Sequence, residues 1–129
     1  MWVGWPLARW LYLFLGVAFL AVFVQVTLFH MRQNFYHPSQ WLPVIATPLL
    51  GVSALFVVWR DVELARAVLT LFAIVGVAIG LVGTYYHFVG TGQRLGGYNL
   101  NNFMVGPPPM LPLMVVALSA LSLVALHGV

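Results

Sequence analysis

Four stretches of this chain, Leu11–Phe29, Leu42–Trp59, Ala67–Phe88 and Met110–Leu126, contain no aspartate, glutamate, lysine or arginine. At about 1.5 Å per helical residue, such stretches match a hydrocarbon core of about 30 Å. A backbone inside that core has no water to bond, so it must close its own hydrogen bonds as a helix. Only 5% of the residues are charged and the mean hydropathy is +1.02, whereas a soluble domain carries about 25% charged residues. Too few charges exist to solvate a surface. The expected fold is therefore an all-α integral membrane protein with four transmembrane helices, forming one domain over residues 1–129 in contact with the lipid bilayer.

The polar segments set the order of the spans. Trp2, Trp5 and Trp10, with Pro6 and Arg9, read as an interfacial entry segment and not as a cleaved leader, because indole combines an apolar ring with a polar N–H. His30–Gln40 is the first connection. Pro43 and Pro48 bend the start of the second span. Arg60–Glu63 is a tight turn that holds both acidic residues of the chain, so spans two and three are antiparallel neighbours. Val89–Pro109, rich in glycine and asparagine and closing on Pro107-Pro108-Pro109, reads as a long connection lying over one face of the bundle.

The chain repeats itself. Leu7-Ala8-Arg9 recurs as Leu64-Ala65-Arg66, Thr27 as Thr84 and His30 as His87, all at one offset. Ser53-Ala54-Leu55 recurs as Ser119-Ala120-Leu121, and Pro43 as Pro109. The expectation is a tandem duplication of a two-helix hairpin, with one repeat over about 7–59 and the other over about 64–126, related by a pseudo-twofold axis along the membrane normal. Gly76, Gly80, Gly83 and His87 share one helical face. Glycines on such a face allow close helix approach in lipid. If the axis runs between spans one and three, Phe19 and Phe23 meet the groove at Gly76 and Gly80.

The net charge of +3 rests on five arginines. They are scattered, which excludes a nucleic-acid footprint. Arg9, Arg60 and Arg66 fall on one side and Arg32 and Arg94 on the other, so the termini are expected in the cytoplasm of a bacterial inner membrane. His30, His37 and His87 then share the outer side, and His127 stands alone opposite. There is no cysteine, so disulfides, thiolate metal sites and thiol catalysis are excluded.

Three sets of side chains carry chemistry. His30 and His87, on facing helices, suit axial ligation of haem b or of a chlorin; the plainer reading is that both cap helix ends. Adding His37, with Met31 and Met104 nearby in sequence, gives a donor set suited to copper. Arg32, Tyr85, Tyr86, Arg94 and Tyr98 suit a quinone or lipid headgroup at the interface, though such residues also form ordinary aromatic belts. Gln25 is expected to bond a neighbouring helix. No nucleophile–base–carboxylate set, zinc-protease helix or phosphate loop is present, so catalysis by this chain alone is not expected. The leading expectation is a non-catalytic accessory or anchor subunit of a larger inner-membrane complex, respiratory or photosynthetic, engaged in electron transport. The alternative is a small b-type cytochrome or other cofactor carrier using His30 and His87. A third is a small channel or transporter lined by Gln25, Thr27, Thr47, Ser53, Thr70, Thr84, Ser119 and Ser122.

Overall fold

The computed structural model describes every residue from Met1 to Val129 and is all helical. Helix α1 spans Leu7–Arg32, α2 Trp41–Trp59, α3 Glu63–Leu95, α4 Leu100–Val105 and α5 Met110–Gly128, with a short 3-10 turn at Pro38–Gln40. Four helical segments are long and apolar enough to cross a membrane: α1, the turn with α2, α3 and α5. Pro6 precedes α1, where its fixed φ and missing N–H do no harm. Just past the end of α1, Asn34 and Phe35 take left-handed φ values of +55° and +48°. Asparagine tolerates that region; phenylalanine does not. Phe35 stacks there on Trp41, ring centroids 4.0 Å apart and planes nearly parallel.

The hairpins α1–α2 and α3–α5 each pack tightly within themselves. They join through α2 against α3 and α1 against α5, which leaves α1 and α3 diagonal. This overturns the expected meeting of Phe19 and Phe23 with the glycine groove. That groove is filled by α5: Gly76 faces Ser119, Gly80 faces Val116 and the Pro112 carbonyl, and Gly83 faces the Pro112 ring. Phe19 lies instead in the central core with Tyr12, Leu15, Leu50, Ala54 and Leu69. A sequence partner in the same hairpin is closer at hand than a diagonal one, and Ser119 is small enough to fit.

The other hairpin closes by the same device, at glycines the sequence reading passed over. Gly16 and Gly51 face each other so closely that a Cβ on either would stand 3.2 Å from the other's carbonyl oxygen. Positions at fixed offsets along the chain are buried in both hairpins. Tyr12, Gly16 and Phe19 of α1 match Leu69, Ala73 and Gly76 of α3, fifty-seven positions on. Gly51, Ala54 and Val57 of α2 match Ser119, Ser122 and Ala125 of α5, sixty-eight positions on. Ser53 and Ser119 are therefore not equivalent by burial, although their local sequences agree.

Arginines close the end that holds both termini. Arg9 Nε donates to the Val58 carbonyl at 3.1 Å, and Arg66 donates to the Leu126 carbonyl. Each arginine begins the first helix of its hairpin and satisfies a carbonyl near the end of the second, where helices leave such groups unpaired. Trp2 Nε1 donates to the Val57 carbonyl at 2.7 Å. The entry segment is thereby bonded to α2.

Helix α3 runs past Phe88 to Leu95, 33 residues in all and about 50 Å long. The expected loop beginning at Val89 is corrected accordingly. Gly90 and Gly92 are helical and leave room for neighbours, the Pro107 ring beside Gly90 and the Tyr98 ring over Gly92. Gly96, with φ of +79°, ends the helix, as glycine does at left-handed caps. Asn99 then caps α4, and the Asn102 side chain ties it to the carbonyls of Leu95 and Gly97. A Cβ on Gly90 would meet Pro107 at an ordinary 3.6 Å. Gly90→Ala is therefore expected to stabilise the fold by about 0.5–1 kcal/mol through helix propensity. Gly92→Ala is expected to destabilise it, because the Tyr98 ring already occupies that space. Thermal unfolding in mild detergent reads both.

Candidate functional site

A cavity of about 210 Å³ lies between the diagonal helices α1 and α3, at the end of the bundle away from the termini. Its deep wall is apolar and includes Val26, Ile79, Leu111 and Val115, with Gly80 and Gly83 leaving space along α3. Its opening is polar, with His30, His37, His87, Gln33, Gln40 and Arg94. The cavity follows from the fold: α2 and α5 approach the glycine faces of their own partners, so nothing fills the gap between α1 and α3 at this end.

The backbone sets the hydrogen-bonding state of two of these histidines. His87 Nδ1 lies 2.8 Å from the Pro108 carbonyl oxygen. A carbonyl only accepts, so Nδ1 carries the proton and Nε2 keeps its lone pair in the neutral ring. His37 is the reverse. Its Nδ1 accepts the Ser39 backbone N–H at 3.2 Å, so the proton of the neutral ring sits on Nε2. One ring thus offers an acceptor to a ligand and the other a donor.

Two further groups are unsatisfied. His30 is buried, 7% exposed, and its Nδ1 has no hydrogen-bond partner. Gln40 donates from Nε2 to Gln33 Oε1 at 2.7 Å, but Gln40 Oε1 is buried and unpartnered. The third such atom in the protein is Ser119 Oγ, packed beside Gly76. Buried polar atoms nearly always find partners, and leaving one unpaired costs about 1–3 kcal/mol. Two of the three exceptions belong to residues that line this cavity.

Not every expected site residue reaches it. Tyr86 lines the cavity beside His37, ring centroids 5.9 Å apart, and Arg94 stacks over Tyr36 at the opening, 4.6 Å from its centroid. Tyr85, Tyr98 and Arg32 are not among the lining residues. Tyr98 stacks on Phe88 at 5.0 Å, and Arg32 sits over Phe29. His30, His37 and His87 share the cavity, but no three side chains of His, Asp or Glu come together to hold a metal ion. Gln25 faces outward and has no partner within the chain. The hydroxyls of Thr27, Thr47, Thr70, Thr84 and Ser122 each donate to the carbonyl four residues earlier in their own helix, a local satisfaction typical of such residues. The sequence reading missed Gln33, Gln40 and the Pro108 carbonyl. A glutamine and a proline in connecting segments carry no periodic signal; only the way the connections fold back over the bundle brings them to the histidines.

Comparison of the chain with protein-family models, with curated proteins and with solved structures returned no match.

Proposed function

We propose that this protein holds an amphipathic small molecule in the cavity between α1 and α3, and does so as a non-catalytic subunit serving a respiratory or photosynthetic membrane. The observation that carries the reading is the cavity itself, where His30, His37, His87, Gln33 and Gln40 gather at one end of an apolar wall and His87 is held by the Pro108 carbonyl. A few polar groups converging on an apolar pocket are the usual form of a small-molecule site. Asp61 and Glu63, the acidic residues of the chain, lie at the opposite end in the turn beside Arg66. The cavity therefore has no carboxylate of its own for acid–base work, which supports binding over catalysis. The same reading takes the two hairpins as copies of one unit, supported by the matched arginines and the matched buried positions.

The test is extraction of protein purified in mild detergent, with the small molecules identified by mass spectrometry. One amphipathic compound per chain is expected, beyond the bulk lipid. Ile79→Trp, which fills the cavity wall, should lower its recovery by about tenfold while thermal unfolding stays cooperative. Protein that carries only bulk lipid, with or without the substitution, contradicts the reading.

A further inference from the structure

We infer that the ligand of this cavity is a membrane quinone, its ring lodged among His30, His37, His87 and Gln40 and its tail leaving along Val26, Ile79 and Leu111. The inference rests on the ligand-holding reading above and names its chemistry.

Three properties of the site select this class. The first is the pairing of hydrogen-bond roles. His37 Nε2–H is a donor, suited to a quinone carbonyl, whereas His87 Nε2 is an acceptor, suited to an O–H group of the reduced quinol. A molecule that presents carbonyls in one state and hydroxyls in the other uses both rings. The second is size. About 210 Å³ falls below the roughly 300–1,000 Å³ of sites that enclose a drug-sized ligand. It accommodates a single substituted ring, and a porphyrin or chlorin macrocycle exceeds it. The third is charge. The fixed cation at the site is Arg94, exposed at the opening and stacked on Tyr36. The interior offers neutral groups, which suit an uncharged head and leave a phosphate without a counter-charge.

The position agrees with these properties. The polar end of the cavity is formed where α1 ends and where the 3-10 turn leads into α2, the level at which a quinone head meets water while its tail stays in hydrocarbon.

The experiment titrates the detergent-purified full chain with a decyl-substituted benzoquinone and, separately, with its quinol. Saturable binding is expected for both. His37→Ala should weaken the quinone by about tenfold and His87→Ala the quinol by about tenfold, the loss of one hydrogen bond to a buried partner. His127→Ala, at the other end of the bundle, should bind as the unaltered protein does. Circular dichroism melting of each variant separates loss of binding from loss of fold, and the milder His87→Gln keeps a polar group if His87→Ala fails to fold. Binding unchanged in both histidine variants overturns the inference. A Soret band in the purified protein, or a tightly held phospholipid that the benzoquinone does not displace, overturns the quinone while leaving a ligand-holding protein. Absence of any bound or bindable amphiphile overturns both.

Discussion

Gly80→Leu is expected to destabilise the bundle by about 3 kcal/mol or more, enough to leave the second hairpin unpacked. A Cβ at Gly80 would stand 2.9 Å from the Val116 backbone nitrogen and 3.0 Å from the Pro112 carbonyl oxygen. Those atoms belong to the backbone of α5 and cannot rotate away as a side-chain tip can. The helices must separate, and the contacts made by Gly76 with Ser119 and by Gly83 with Pro112 go with them. Overpacking a core costs about 1–3 kcal/mol where side chains adjust; here the adjustment falls on a whole helix. Gly83→Ala is the graded control. Its Cβ would meet the Pro112 ring at 3.1 Å and nothing else closer than 3.9 Å, so a loss of about 1 kcal/mol or less is expected. Thermal unfolding in one detergent reads both, and equal effects would contradict the assigned contact.

The second large effect is expected at Arg66. Its guanidinium donates to the Leu126 carbonyl, to Asp61 at 3.2 Å and to the Tyr12 hydroxyl at 3.3 Å. Tyr12 is fully buried, so Arg66→Ala strands a phenol in the core as well as freeing the last turn of α5. A stranded buried polar group costs about 1–3 kcal/mol and a charge-assisted bond about 1.5–3, and the expected loss is about 3 kcal/mol. The ion pair with Asp61, partly exposed, adds little. Tyr12→Phe removes the phenol that Arg66→Ala would strand. The double variant should therefore lose less than the sum of the two single changes, a coupling of about 1 kcal/mol in a double-mutant cycle. Arg9→Ala should cost less than Arg66→Ala, because Arg9 bonds only the Val58 and Gly4 carbonyls and stacks in the open on Trp5. Strict additivity of Arg66→Ala and Tyr12→Phe would contradict the network.

The spans were legible in the sequence because hydrocarbon imposes so simple a rule: long, uncharged and helical. Individual partners were harder to read. Gly76, Gly80 and Gly83 marked a close-packing face but not its occupant, since Phe19 and Ser119 both satisfy the spacing and only the hairpin geometry chooses between them. Gly90 and Gly92 resembled turn residues, yet in α3 they are the places where Pro107 and Tyr98 rest. The histidines pointed to a site through their repeat, and the structure brings His30, His37 and His87 to one cavity. What completes that cavity, Gln40 and the Pro108 carbonyl, depends on how two connections fold, which no local pattern encodes.

The central claim is that three histidines from different segments share one cavity, and the chain is well suited to a direct test. It has four histidines and no cysteine. Tyr36 is an exposed cavity-lining residue, so Tyr36→Cys accepts a single nitroxide label at the opening. Imidazole nitrogen NMR of the labelled protein in detergent should then show paramagnetic broadening of His30, His37 and His87, with His127 left sharp. His87 should report a protonated Nδ1 and His37 a protonated Nε2. Broadening of His127 to the same extent, or a sharp signal from His30 or His87, would contradict the account.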